Sequence, residues 1–144
     1  MIIATILKVK GRSVSTARPE DTVQEIANRL AQRNIGAIVV VGDNGRVSGI
    51  ISERDLIRAL AKQGASALQV PVQEIMTRNV VTCNITASSD EIMETMTRGR
   101  FRHIPVIDDD GSLIGIVSIG DVVKQHIAEV ELEVTAMRGY LATG

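Results

Sequence analysis

Apolar and polar positions along this chain follow two periods, and the order of those periods occurs twice. Over residues 22–33, Val23, Ile26, Ala27 and Leu30 fall at i, i+3, i+4 and i+7, one face of a helix. Residues 37–41 form a continuous apolar run rich in β-branched side chains. Asp43, Asn44 and Gly45 supply a turn, and residues 47–51 return as the second strand of a hairpin. A second helix is predicted from Glu53 to about Lys62, stopping near Gly64. A short strand, VST at 14–16, precedes all of these. The same order follows with VVT at 80–82 and a helix carrying Ile92, Met93 and Met96. A hairpin of 104–107 and 113–117 turns about Asp109, Asp110 and Gly111, and a helix runs from about Ile119 to Tyr140. Asp21 or Thr22 is placed to cap the first of these helices, and Ser88 or Ser89 its counterpart.

A shift of 66 residues superimposes the two halves without a gap. Arg12 meets Arg78, Thr16 meets Thr82, and Glu25-Ile26 meets Glu91-Ile92. Asp43 and Gly45 meet Asp109 and Gly111, while Gly49, Ile50, Ser52 and Asp55 meet Gly115, Ile116, Ser118 and Asp121. An ungapped match of this length marks an internal duplication. Each copy reads β-α-β-β-α, too small to bury much apolar surface alone. Its strands are apolar on both faces, so each sheet needs cover on both sides. The expected fold is therefore α+β (α/β), two repeats packed sheet to sheet about a pseudo-twofold axis. The divisions expected are 1–64 for the first repeat, 65–71 for a surface linker, 72–126 for the second repeat, and 127–144 for a C-terminal helix or tail. Pro71 is expected to open a short helix leading to Met76, matching residues 5–10.

Composition narrows the function. Apolar residues make up 44% of 144, and the net charge is −1 with no basic block. That argues against a nucleic-acid footprint, and with Phe101 and Tyr140 the only aromatics there is little for bases to stack on. No apolar run reaches the roughly 18 residues of a membrane helix, and the N-terminal residues do not read as a signal peptide. One cysteine, Cys83, permits no intrachain disulfide and fits a cytoplasmic setting. With two histidines beside it, no metal site is expected.

The two strand-to-helix corners, GIISERDL at 49–56 and GIVSIGDV at 115–122, carry the candidate chemistry. A Ser at the helix N-cap with an acidic residue three positions on is a capping box, and capping alone accounts for each corner. The same corner also suits a ligand. Free N–H groups and the positive dipole end attract a phosphate, and an ionised Asp accepts from both hydroxyls of a ribose. A capping box prefers Glu or Gln, so Asp tilts the choice toward the ligand.

These corners, with RFRHIPVIDDDG at 100–111 and VQEIMTRNVVT at 72–82, resemble a tandem pair of CBS domains, named after cystathionine β-synthase. The resemblance runs from about Ile6 to His126 and is that of a stand-alone bacterial pair. It implies a regulatory module binding an adenine nucleotide, AMP, ADP, ATP, NAD(H) or S-adenosylmethionine, in clefts between the repeats, with no further cofactor. It places ligand contacts on Ser52 and Asp55 with Arg54 beside them, on Ser118 and Asp121, on Gly36 and Ala37, and on Arg102, His103 and Pro105. It also implies a homodimer. Gly120 in place of Arg54, Gly36-Ala37 in place of Arg102-His103, and Val39 in place of Pro105 make the two clefts unequal.

Beside the resemblance, Arg102 and His103 suit a phosphate clamp, against a solvated basic turn with Phe101 in the core. Arg12 and Arg78 are surface charges or phosphate ligands. Thr16 and Thr82 face an adenine edge or merely suit a strand. Ser118, His103 and Asp121 have the residue types of a catalytic triad, yet no Gly-x-Ser-x-Gly elbow is present, so no catalytic residue and no enzyme activity is expected. The rival to a nucleotide sensor is a protein-interaction scaffold whose clefts stay empty. The tail, with Val130, Val134, Met137 and Leu141 at helical spacing, either packs on the dimer or reaches a target protein.

Overall fold

The computed structural model describes residues 1–143. Helix α1 (Ile3–Lys10) leads into strand β1 (Thr16–Ala17), helix α2 (Val23–Arg33), the hairpin β2 (Ala37–Val41) and β3 (Val47–Ser52), and helix α3 (Glu53–Gln63). The second half holds helix α4 (Ser89–Gly99), the hairpin β4 (His103–Ile107) and β5 (Leu113–Ser118), and the long helix α5 (Ile119–Thr143). Thr22 caps α2 through a full capping box, and Ser88 accepts from the Glu91 N–H to cap α4. Both hairpins bulge at the same repeat position, between Val40 and Val41 and between Val106 and Ile107. Gly45 and Gly111 take positive φ at their turns, as the sequence requires.

The repeats differ in their first strand. β1 runs parallel to β2, with Thr16 opposite Val39 and Ala17 opposite Val40. The expected strand at 80–82 does not form. Only a single parallel bridge, Cys83 to Val106, stands in its place. The cause is Pro105. In the first repeat the Val39 N–H donates to the Ser15 carbonyl at 3.4 Å, and Pro105 has no N–H with which to repeat that bond. The two bonds that do not need it survive: Cys83 N–H to the Pro105 carbonyl at 3.1 Å and Ile107 N–H to the Cys83 carbonyl at 2.9 Å.

The core is two apolar clusters, and each contains a segment from the opposite half of the sequence. Ile3, Ile6 and Leu7 of α1 lie among Ile92, Met96, Ile104, Val106, Val117 and Val122 of the second repeat. Val72 and Met76 lie among Val23, Ile26, Leu30, Ile38, Val40 and Ile51 of the first. The lead-in of each repeat is thus exchanged, the arrangement a pseudo-twofold produces. Two glycines permit it. A Cβ on Gly49 would sit 2.5 Å from Met76 Sδ, and one on Gly115 would sit 2.8 Å from Leu7 Cδ2.

Two details of the connection depart from expectation. The segment after Pro71 is a 3-10 turn, Val72–Glu74, with Pro71 extended before it rather than a helical opening. The connection before it, expected as a surface crossing, is exposed at Gly64, Ala65, Ser66 and Gln69 and anchored between them. It forms a 3-10 turn, Gly64–Gln69, whose Ala67 is fully buried and whose Leu68 packs on the first cluster, as does Val70 after it. Val70 and Val72 also bond to the start of α2, at Val23 and Asp21. α5 runs past Tyr140, and of the expected tail only Gly144 lies outside the described residues.

Candidate functional site

β3 delivers Ser52 to the N-cap of α3, and the corner there is a closed hydrogen-bonded box. The Ser52 N–H donates to Asp55 Oδ2 at 2.8 Å, the Ser52 hydroxyl to the same oxygen at 3.1 Å, and the Asp55 N–H back to Ser52 Oγ at 3.4 Å. The other carboxylate oxygen, Oδ1, accepts from the Thr77 hydroxyl at 3.2 Å. Thr77 belongs to the exchanged lead-in, held against β3 by paired backbone bonds with Ile50 at 2.9 and 3.0 Å.

This corner forms one wall of a cavity of about 540 Å³ between the repeats, within the range of small-molecule sites. Thr77, Asn79, Val80 and Val81 and the segment from Gly99 to His103 form the facing walls, and Gly36 joins the lining beside His103. Ile50, Val80, Val81 and Phe101 give it an apolar side. Arg54, Arg58, Arg100 and Arg102 also line it, together with the acidic Glu53 and Asp55. Arg100 holds left-handed backbone, φ 58°, at the C-cap of α4. Its repeat counterpart, Asn34, does the same with φ 52° at the end of α2. Asn tolerates that conformation; Arg pays for it in steric strain.

The second corner has the same skeleton and a different occupant. The Ser118 N–H donates to Asp121 Oδ2 at 2.9 Å and the Asp121 N–H to Ser118 Oγ at 3.1 Å. Here the exchanged lead-in is α1, which ends on Lys10. The Lys10 ammonium donates to Asp121 Oδ2 at 2.5 Å and to the Ile116 carbonyl at 2.7 Å. Burial by itself would raise the Asp121 carboxyl, but the bonds from Lys10 and Ser118 outweigh it and hold the group below its ordinary value. His103 sits between the two corners. A Cβ on Gly36 would lie 3.2 Å from its Cε1. Burial first, then the charges of Lys10 and Arg102, lower its pKa, against opposition from Glu53 and Asp121, so the ring is neutral near pH 7.

The cavity therefore gathers Gly36, Ser52, Arg54, Asp55, Arg102 and His103 from the residues the sequence singled out. Others fall elsewhere. Ala37 and Pro105 are buried in β2 and β4, because each starts or centres a strand whose side chains face the sheet packing. Thr16 is exposed on β1, its carbonyl taken by Arg29. Thr82 is half-buried beside the missing strand. Arg12 is exposed, and Arg78 is turned away to donate to the Gln73 carbonyl at 2.8 Å. Ser118 and Asp121 form the corner that Lys10 fills. Ile38 and Ile104 are fully buried core, whereas Ile50 lines the cavity. Sequence reasoning missed Thr77, Asn79, Arg58 and Lys10. Thr77 directly follows the Met76 that was placed at the end of a lead-in, and its position was the available signal.

Among the described residues no group of three His, Cys, Asp or Glu side chains is placed to hold a metal ion. No helix among them is long and apolar enough to cross a membrane.

Comparison with known proteins places this geometry in context. The CBS-domain profile matches residues 9–62 and 72–127. A mitochondrial CBS domain-containing protein of Arabidopsis thaliana is 37% identical over 150 aligned positions, covering 99% of this chain and 72% of that protein. The crystal structure of a CBS-domain-containing protein from Agrobacterium tumefaciens aligns with a TM-score of 0.85 at 48% identity, over 88% of this chain and 99% of that one. A CBS domain protein from Pyrobaculum aerophilum, solved in complex with AMP, aligns with a TM-score of 0.75 at 28% identity, over 84% of this chain and 89% of that one.

Proposed function

The chain belongs to the CBS-domain family, and from that premise we propose that it is a non-catalytic sensor that takes an adenine nucleotide in the cavity beside Asp55. The observation that carries this is the composition of the cavity walls. The carboxylate of Asp55 offers the acceptors a ribose diol needs, at an oxygen now held only by the Thr77 hydroxyl. A neutral donor of that kind is exchanged for a ribose hydroxyl without stranding a charge. The four arginines suit a phosphate, since guanidinium presents paired donors. Ile50, Val80, Val81 and Phe101 suit the faces of a purine. The AMP held by the Pyrobaculum relative supports the ligand class.

The walls come from both repeats, so a bound nucleotide joins Asp55 of the first to Arg102 and His103 of the second. Any difference in affinity between two arrangements of the repeats then shifts their populations, which is how such a site reports its occupancy. The Asp121 corner supports no catalytic reading. Ser118 Oγ accepts from a backbone N–H, and Asp121 is turned to Lys10 and to the Ser118 N–H, the bonding of a helix cap rather than of a proton relay.

Isothermal calorimetry with AMP, ADP, ATP and NADH tests the proposal, using Asp55→Asn as the control variant. The amide keeps an oxygen for the Ser52 N–H and loses one acceptor for the ribose. Binding weakened by the variant is expected. No binding of any of the four below millimolar concentration overturns the sensor and leaves the scaffold as the alternative.

A further inference from the structure

α5 continues far past the body of the protein. At 1.5 Å per residue its 25 residues span about 37 Å. The N-terminal ammonium of Met1 pairs with Glu129 at 3.2 Å, and every residue from 130 to 142 beyond that contact is exposed. An isolated helix of this length is marginal in water, so its stability has to come from packing.

Apart from Leu132 and Tyr140, the exposed large apolar side chains on this helix fall on one line. Val123, Ile127, Val130, Val134, Met137 and Leu141 follow one another at intervals of four, three, four, three and four. That is the seam of a heptad repeat, with Ile127, Val134 and Leu141 at a and Val123, Val130 and Met137 at d. A period of 3.5 is the pattern a partner helix requires, whereas a helix lying on a globular surface shows a broader stripe. The seam begins at Val123, where α5 still rests on the body, and runs outward.

The flanking charges choose the partner and its direction. Positions e are Lys124, Glu131 and Arg138, and positions g are His126, Glu133 and Tyr140. In a parallel pair of identical helices each g faces the e five residues on in its neighbour. That sets Glu133 against Arg138, a favourable pair, and His126 against Glu131, with no like charges opposed. In an antiparallel pair e faces e and g faces g. Lys124 would then meet Arg138, Glu131 would meet Glu131 and Glu133 would meet Glu133, all like-charged. From the heptad seam and these flanks we propose that α5 pairs with α5 of a second copy of this chain as a parallel, in-register, two-stranded coiled coil. This stands independently of any ligand in the cavity.

Sedimentation equilibrium of the full chain tests the pairing. A dimer that dissociates on dilution is expected. Val134→Asp puts a charge into the seam and should raise the dissociation constant about tenfold or more, while nucleotide binding and the thermal transition of the body persist. Arg138→Glu should weaken the dimer, and Glu133→Lys combined with Arg138→Glu should restore it. Val130→Cys should form a disulfide-linked dimer on mild oxidation, and Leu132→Cys, off the seam, should not. A chain that is monomeric at high concentration overturns the proposal. So does a dimer indifferent to Val134→Asp, one strengthened by Arg138→Glu, or equal cross-linking at positions 130 and 132.

Discussion

Lys10→Met is expected to open a second nucleotide site. In the wild type the Lys10 ammonium lies 2.5 Å from Asp121 Oδ2 and 2.7 Å from the Ile116 carbonyl. It therefore stands where a ribose hydroxyl would have to stand. Met is the residue the repeat itself supplies at the equivalent position, Met76. A ligand entering this corner must first displace the ammonium. Two unit charges 2.5 Å apart attract by about 7 kcal/mol at an effective dielectric of 20. Both side chains retain partial exposure, 31% and 25%, so solvent screens much of this. The charge-assisted bond to the carbonyl adds to what must be broken, and water re-solvates the released ammonium. A net penalty of about 1–2 kcal/mol remains, a factor of about 5–30 in affinity.

Calorimetric titration with AMP reads this directly. Wild type is expected to bind one nucleotide per chain, at Asp55, with the Asp121 corner empty or weaker. Lys10→Met should gain a second site, or tighten a weak one by that factor, and adding Asp121→Asn should remove the gain. Two outcomes refute the reasoning. If Lys10→Met leaves both stoichiometry and affinity unchanged, the ammonium is not an obstacle. If it weakens binding, Lys10 is a phosphate ligand and the corner is a site that needs it.

Other consequences follow from single residues. Arg100→Asn should raise stability by about 0.5–1 kcal/mol, because Asn tolerates the left-handed backbone at that C-cap, and should also weaken nucleotide binding by removing a guanidinium from the cavity; thermal melts and calorimetry read the two effects separately. His103 is held below its ordinary 6.5, so the unfolded chain takes up that proton first: the stability its neutral form contributes is complete above about pH 6.5 and is lost as the pH falls toward the folded value, and His103→Gln should flatten urea-derived stability over that window. The depressed carboxyls of Asp121 and Asp21 should contribute a further loss only below their ordinary 3.8. Burial pushes the Cys83 thiol up to about 11, so at pH 8 it should alkylate about a hundredfold more slowly in the folded protein than in urea; equal rates would place it at the surface.

What could be read from the sequence was local. The hairpins follow from turn residues adjacent to their strands, and the caps of α2 and α4 from a hydroxyl three positions before a Glu. The Ser52-Asp55 and Ser118-Asp121 corners are likewise complete within four residues. What could not be read depends on contacts between distant positions. Lys10 and Asp121 are 111 residues apart, and nothing in the pattern of either neighbourhood announces the other. The loss of the strand at 80–82 was written in Pro105, but only the pairing of that strand with β4 shows that the missing N–H lies on the side that matters. Arg78 was a candidate phosphate ligand through its match to Arg12, yet a repeat match equates positions in two halves of the chain, not the direction of a side chain.

Duplication explains why the two corners resemble each other, and exchange of the lead-ins explains why they need not act alike. Each corner is built by one repeat and completed by the segment that precedes the other. The first receives Thr77, a neutral donor on a short side chain; the second receives Lys10, a cation whose reach covers both the carboxylate and the adjacent strand. Substitutions in the lead-ins therefore change what the Asp carboxylate meets without touching the Ser-x-x-Asp corner itself. They do so at little cost to the core, because the residues that anchor those segments, Ile3, Ile6 and Leu7 on one side and Val72 and Met76 on the other, are different from the residues at their tips. The side chain that separates the second corner from the first is Lys10, at the end of α1.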